Sequence, residues 1–318
     1  MTAADDRVTA VVLTFNEAVH IERCLARLAE VADRIVVIDS HSTDGTIDIA
    51  RAHGAHVLQN PFVNHAAQFQ WGVDAAGIGP GWILRIDADE YLEQALIGEI
   101  RTRLPALDPG VGAVAMRRKV LFQGQWIRWG GYYPTVLTRL WRVGAASIEQ
   151  RWMDEHVLVE QGRTILFKRG DLVDDNLKDL TDWTAKHNGY ATRQAIEFLS
   201  LEYPLLPLRN NGALNSGARW KRLLRNGIYA RAPLFLRAFL YQFQRYVLRL
   251  GFLDGRKGLV FHTLQGFWNF FLVDAKIAEG RAYIDRHGLV DFRRHMAERH
   301  HMLLPEVERD VAAQDTQP

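Results

Sequence analysis

The sequence contains a single cysteine, Cys24, which rules out an intrachain disulfide and any multi-cysteine zinc site. Cys24 falls in an amphipathic helical stretch and reads as a core thiol rather than a nucleophile. Long apolar runs are also missing. No uncharged run reaches the roughly 18 residues of a membrane span, so none is expected. The first residues, MTAADDRV, are acidic and lead straight into a strand. A signal peptide is not expected, and the chain is assigned to the reducing cytoplasm. Acidic residues are absent from Tyr203 through Leu253, where nine basic residues occur. Internal repeats and low-complexity segments are absent too.

What is present suits one large domain or one domain with an appendage: 318 residues, 48% hydrophobic and 24% charged, with a formal net charge of +2. The first hundred residues alternate strand and helix signals, the pattern of an α/β domain with a mainly parallel sheet. VTAVVLTF (8–15), RIVVIDS (34–40), AHVLQN (55–60) and WILRID (82–87) read as strands. Helical spacing follows through Ile21, Cys24, Leu25 and Leu28, over 65–76, and in ALIGEIRTRL (95–104). Ser42 or Thr43 is expected to cap the helix that begins near Gly45. The section 111–170 reads as shorter strands rich in aromatics, and a helix is expected from Leu180 to about Ser200. Pro204, Pro207 and 210–217 read as a linker before a helical carboxyl-terminal region.

Chemistry concentrates at strand ends. RIDADE (85–90) sets Asp87, Asp89 and Glu90 directly after the apolar run Trp82-Ile83-Leu84. Carboxylates so crowded repel one another unless solvent screens them or something positive compensates. Open α/β sheets bind ligands beyond the carboxyl ends of their strands. Three polar clusters lie at such ends here: Thr14-Phe15-Asn16-Glu17, Asp39-Ser40, and Asp87-Ala88-Asp89-Glu90. Their convergence on one rim predicts a shared site holding a divalent cation, Mg²⁺ or Mn²⁺, which suit hard oxygen ligands. Asp44-Gly45 reads as turn and cap chemistry outside the site, and Glu90 as a solvated or helix-start charge.

The order VVLTFNE, IDSHSTDGT, WILRIDADE resembles the family 2 glycosyltransferases of the GT-A fold, above all the bacterial branch that builds lipopolysaccharide cores, capsules and exopolysaccharides. The resemblance covers about residues 8–200. It implies a GT-A, Rossmann-like catalytic domain over 1–205; beyond its reach the sequence pattern itself predicts a helical, membrane-interfacial region (206–300) and a tail (301–318). The resemblance implies that Thr14, Phe15, Asn16, Glu17 and Asp39 hold the base and ribose of a nucleotide sugar. Asp87 and Asp89, the DxD-like pair, would hold the metal and the diphosphate, with Asp89 the direct ligand. Relatives often carry two acids where this chain has Asp39-Ser40.

Within RWMDEHVLVEQG (151–162), Asp154 and Glu155 are candidates for the general base of an inverting transfer. His156 is a candidate partner for the metal or a phosphate. Trp126, Arg128, Tyr133 and Arg139 are candidates for the acceptor subsite, since sugar C–H faces pack on aromatic rings and arginine pairs with phosphate. Gln68 and Gln70 are possible sugar contacts, and Lys186-His187-Asn188 reads as a solvated face. Over 233–250, Arg237, Tyr241, Arg245 and Arg249 recur every fourth position, and 258–273 is a second apolar stretch. This pattern predicts a surface that meets anionic lipid headgroups. No nucleic-acid module accompanies the basic residues.

The expected function is metal-dependent, inverting transfer of a sugar from a UDP- or GDP-linked donor to a lipid-linked glycan or a lipopolysaccharide or exopolysaccharide precursor. The enzyme would sit peripherally on the inner face of the cell membrane. Two alternatives stand beside it. One is a nucleotidyltransferase, which should carry a glycine-rich phosphate loop where this chain has TFNEAVH. The other is a non-catalytic sugar-nucleotide-binding membrane protein, which would tolerate loss of Asp154 and Glu155.

Overall fold

The computed structural model describes residues 6–149, 156–206 and 233–304. The amino-terminal elements alternate as expected: β1 (Val8–Thr14), α1 (Ala18–Leu28), β2 (Arg34–Asp39), α2 (Thr46–Ala52), β3 (His56–Gln59), α3 (His65–Ala75) and β4 (Trp82–Asp87). A three-residue strand, β5 (Glu90–Leu92), follows a tight turn at Ala88 and Asp89, before α4 (Gln94–Arg103). Next come β6 (Val111–Phe122), β7 (Gln125–Ile127), β8 (Thr135–Arg142), β9 (Ala146–Ile148), β10 (Val157–Val159) and β11 (Arg163–Asp175). The strands expected here were short, yet β6 and β11 run 12 and 13 residues. Helix α5 (Leu180–Leu199) leads to the carboxyl-terminal helices α6 (Leu236–Phe243), α7 (Gly255–Phe261) and α8 (Asn269–His300).

One sheet has the order β3-β2-β1-β4-β8-β6-β11-β5, with β7 on the edge of β6, and β9 and β10 pair separately. Strands β3, β2, β1 and β4 are mutually parallel. Beyond them β8 runs antiparallel to both β4 and β6, while β6 and β11 are parallel. This is the α/β class expected from the sequence. Both faces of the parallel half are covered, which explains strands that read as near-continuous apolar runs. Along β1, Ala10 and Val12 join Ile21, Cys24, Leu25 and Leu28 of α1 in one core. Val11 points the other way, with Val36 and Ile38 against Ala66 and Phe69 of α3. Cys24 is fully buried and burial pushes its thiol pKa well up, so it is the inert core thiol anticipated.

The chain divides into two compact units, residues 1–182 with 241–264, and 183–240 with 265–318. In the second unit the expected arginine stripe fails at its first member. Arg237 is only 2% exposed, and its guanidinium pairs with the buried carboxylate of Asp274 (Nε to Oδ1, 2.6 Å). Asp274 also accepts the backbone N–H of Phe235 at 2.7 Å. An arginine here meets no lipid, because a charge this deep requires its own counter-ion. His187, expected on a solvated face, stacks on Trp183 with ring centroids 3.5 Å apart, and burial pushes its pKa down to about 4. Among the described residues no helix is long and apolar enough to cross a membrane.

Candidate donor and acceptor sites

The order β3-β2-β1-β4 reverses between β1 and β4, a topological switch point where open α/β sheets take ligands. The register aligns the clusters singled out in the sequence. Thr14 lies beside Asp39, and Leu13 beside Asp87, so the ends of β1, β2 and β4 share one rim.

Asp39 is fully buried and ties this rim together. Its carboxylate accepts from Thr14 Oγ1 (2.9 Å), the backbone N–H of Ser42 (2.8 Å), Ser42 Oγ (2.5 Å) and Gln59 Nε2 (3.4 Å). Asn16 adopts a left-handed conformation (φ 53°), which asparagine tolerates better than most residues. Its N–H donates to Ser42 Oγ and its Oδ1 accepts from the Thr43 N–H, both at 2.8 Å. Ser42 therefore joins two strand ends instead of capping α2, whose N-cap is Gly45 without a side-chain bond. Asp44 does the local turn work expected of it, bonding Thr46 and the N–H of Ala18.

Glu17 is held differently from the expectation of a ribose contact. His20 is buried, and its Nε2 accepts the N–H of Leu177 at 2.7 Å, so the proton resides on Nδ1 and donates to Glu17 (2.5 Å). Lys178 Nζ meets the other carboxylate oxygen at 3.0 Å. Glu17 thus fastens the end of β1 to the segment after β11. Gln68 is likewise engaged internally, with Ser40 Oγ and the Asn60 carbonyl, and Gln70 with Asp74. Of the donor candidates on β1, Phe15 alone stands well out, at 55% exposure.

The carboxylates of RIDADE separate into two kinds. Glu90, expected in solvent, is 2% exposed on β5. Its Oε1 meets Arg139 Nη2 at 2.6 Å and its Oε2 accepts the Asp87 N–H at 3.0 Å. Burial pushes the Glu90 pKa up to about 8, against the pull of Arg139. Burial opposes the charge on Arg139 in turn, yet Glu90 and Asp87 more than offset it and hold the guanidinium protonated. Arg139 also reaches Asp87 Oδ2 at 3.2 Å. It is therefore not an acceptor contact but the buried counter-ion beneath the DxD-like pair. An arginine within the apolar alternation of TRLWRV was the sequence signal for such a partner. Asp87 and Asp89 themselves are half-buried at the rim.

Two hard carboxylates at a strand end fit a cation that takes its remaining ligands from a phosphate-bearing substrate. Among the described residues no three His, Cys, Asp or Glu side chains converge on a cation position. His156 does not join the pair; it is exposed and faces Glu149 at 3.4 Å across the β9–β10 hairpin. Asp154 and Glu155 lie outside the described residues.

The other acceptor candidates do assemble. Trp126 and Tyr133 meet edge to face, centroids 4.9 Å apart, and the Arg128 guanidinium lies 5.3 Å from the Trp126 ring. Tyr133 donates to Asp171 (3.2 Å), and Lys119 lies over Trp126 at 5.0 Å.

The family model described as Glycosyl transferase family 2 matches residues 9–174, over half of the chain. The chain belongs to that family. It is 38% identical over 94 residues to a glycosyltransferase of Rickettsia bellii, covering 30% of this chain and 31% of that one. The match thus spans about a third of the length of this rickettsial relative. The lipopolysaccharide core biosynthesis glycosyltransferase LpsC of Rhizobium meliloti is 26% identical over 198 residues, 59% of this chain and 70% of its own. Among solved structures, the mannosyltransferase PcManGT from Pyrobaculum calidifontis, in complex with GDP-Man and Mn²⁺, is 16% identical with a TM-score of 0.45, covering 87% of each chain. S. aureus TarS 1–349 in complex with UDP is 15% identical with a TM-score of 0.44, covering 86% of this chain and 92% of its own.

Proposed function

We propose that this protein transfers a sugar, with inversion, from a UDP- or GDP-linked donor to a lipid-linked glycan or a lipopolysaccharide or exopolysaccharide precursor at the inner face of the cell membrane. The observation that carries the reading is the convergence of the β1, β2 and β4 ends at the switch point, with Asp39 binding two of them together. The exposed ring of Phe15 suits stacking against the nucleobase, and the loop of Asn16, Ser42 and Thr43 bounds the ribose. Asp89 and Asp87 would hold Mg²⁺ or Mn²⁺. Such an ion, when bound, neutralises charge on the departing nucleoside diphosphate. Asp154 or Glu155 accepts the proton of the acceptor hydroxyl as its oxygen attacks the anomeric carbon, and the diphosphate leaves from the opposite side. Trp126, Tyr133 and Arg128 hold the acceptor, the rings against sugar C–H faces and the guanidinium against phosphate.

The relationship to LpsC supports a cell-envelope glycan as the acceptor class. Screening a panel of UDP- and GDP-sugars for hydrolysis, with Mn²⁺, with Mg²⁺ and with chelator, tests the donor assignment. Metal-stimulated release of a nucleoside diphosphate is the expected result. Release of pyrophosphate instead, or no turnover of any donor, overturns it.

A further inference from the structure

The segment that follows α6 is inside out for a protein surface in water. A π turn (Gln244–Leu248) ends the helix, Leu250 takes a left-handed conformation (φ 59°), and a 3-10 turn (Gly251–Asp254) leads into α7. The inner side of this hairpin holds polar groups. Asp254 is buried and accepts from the backbone N–H groups of Arg128 and Trp129 at 2.9 and 3.2 Å, and from His262 Nε2 at 2.9 Å. Its carbonyl accepts from Gln125. The outer side presents Phe243, Leu248, Leu250, Phe252, Leu253 and Leu259, each 41–64% exposed. A helix against a water-facing surface normally buries its apolar stripe and exposes its polar one. Here only Phe261 of α7 packs inward, on Phe122 and Tyr132, while six large apolar side chains face out; isolated exposed leucines would need no explanation where a cluster does.

Charge points to the medium outside. Asp254 is the sole acid between 241 and 264, and it is buried, so the outer side of the hairpin carries no negative charge. Arg249, Arg256 and Lys257 are exposed around it. A protein partner would be matched by a rim of mixed polarity, whereas an apolar centre in a purely cationic rim matches an anionic bilayer. We infer that the 243–260 hairpin enters the headgroup–acyl boundary of an anionic membrane as an apolar wedge. Insertion of side chains dominates the attachment. Arg245 adds little, since its Nε donates to the Gly130 carbonyl at 2.8 Å and its guanidinium covers Tyr132 at 3.8 Å.

The wedge is fastened to the candidate acceptor loop. Asp254 holds the Arg128 and Trp129 amides, and the Gly130 N–H donates to the Arg249 carbonyl at 2.9 Å. Gly130 has a positive φ of 67°, and a Cβ there would collide with the His262 ring. The same contacts that seat the hairpin therefore seat the loop bearing Arg128 and Trp129. The acceptor is a saccharide presented by a membrane lipid, a consequence that rests on the proposed transferase reading; the insertion does not.

The test is co-sedimentation of the full chain with vesicles of phosphatidylglycerol and phosphatidylcholine, at low and high salt, with nucleotide binding measured separately without vesicles. Wild type is expected to bind, and to keep most of its binding in high salt. Phe252→Glu with Leu253→Glu, and independently Leu248→Glu, should lower partitioning at least about tenfold at unchanged thermal stability, because each places a charge in the acyl boundary. Asp89→Ala should partition like wild type, which separates failure of the wedge from failure of the donor site. Unaltered partitioning of both glutamate variants overturns the inference, as does wild type remaining in the supernatant. A dimer in ultracentrifugation that the same variants dissociate, with no vesicle binding, assigns the surface to a second copy and also overturns it.

Discussion

Replacing Arg139 with methionine tests the account of the acidic strand end most directly. The guanidinium is buried and contacts Glu90 at 2.6 Å and Asp87 at 3.2 Å. Methionine fills similar volume but leaves Glu90, 2% exposed, with no cation beside it. Breaking a buried pair from one side typically costs about 3–5 kcal/mol, because a desolvated charge is left behind. Asp87 is partly solvated, so its share is small and the cost centres on Glu90. The double variant Glu90→Gln with Arg139→Met should recover a large part of the loss, since removing both charges together is often near neutral. The pH dependence has a definite sign. Burial raises the Glu90 pKa from 4.5 to about 8 while Arg139 pulls it down, so loss of Arg139 raises it further. For a raised acid, stability is fully present below the unfolded value and is lost as pH rises through the folded one. Wild type and variant lose this contribution in parallel up to about pH 8, so the penalty of the single variant should be smallest near pH 5 and grow as pH rises above about 8, toward about pH 9.5. Urea unfolding followed by tryptophan fluorescence at both values measures it. A loss below about 1 kcal/mol at the higher pH, or an equal loss at both, refutes the reasoning.

Three further outcomes are expected. Asp89→Ala should remove the metal dependence of donor binding in calorimetry while leaving the melting temperature near wild type, because the residue is at the rim. Glu155→Gln or Asp154→Asn should lower turnover by about 10²–10⁴-fold with donor affinity little changed, and near-wild-type turnover in both places the base elsewhere. Asp39→Asn should cost about 1–3 kcal/mol in denaturant unfolding and also weaken nucleotide binding, because an amide NH₂ would face donors from Thr14 and Ser42; loss of binding without loss of stability would instead make Asp39 a direct ligand contact.

Local pattern explains what was legible in the sequence. Strands β1 to β4 are β-branched or apolar runs bounded by polar turns, and their expected limits fall within a residue or two of those observed. The three polar clusters were visible because each directly follows such a run. Strand β5, Glu-Tyr-Leu, is too short to show any period, so Glu90 read as part of a solvated tip. Strand β6 carries Arg117, Arg118 and Lys119 in one half, which broke its apparent length. The misassigned polar residues share one cause. Arg139 finds Glu90 at a separation of 49 positions, Glu17 finds Lys178 at 161, and Arg237 finds Asp274 at 37. A basic residue read as a ligand or lipid contact becomes a buried counter-ion only once the chain has folded, and no local periodicity records its partner. The same reason hid Asp254, whose amide partners at Arg128 and Trp129 lie more than a hundred positions earlier.

The three acids of RIDADE then have a physical division of labour. A carboxyl at full burial either takes up a proton or needs a cation in hydrogen-bond contact, and Arg139 supplies that cation for Glu90 while touching Asp87. Glu90 in turn fixes the geometry above it, because its second oxygen holds the Asp87 N–H and so sets the turn through Ala88 and Asp89. The guanidinium brings one positive charge against the two aspartates of the rim, which leaves net negative charge there even while Glu90 is protonated. A lysine in its place would supply the charge but not the planar fork that addresses two carboxylates at once. Net negative charge at the mouth of a switch point repels a nucleoside diphosphate, and that repulsion is the physical reason for proposing a divalent cation between the rim and the donor. The buried pair and the proposed metal are thus two answers to the same repulsion. The first belongs to the fold, and the second to the substrate complex.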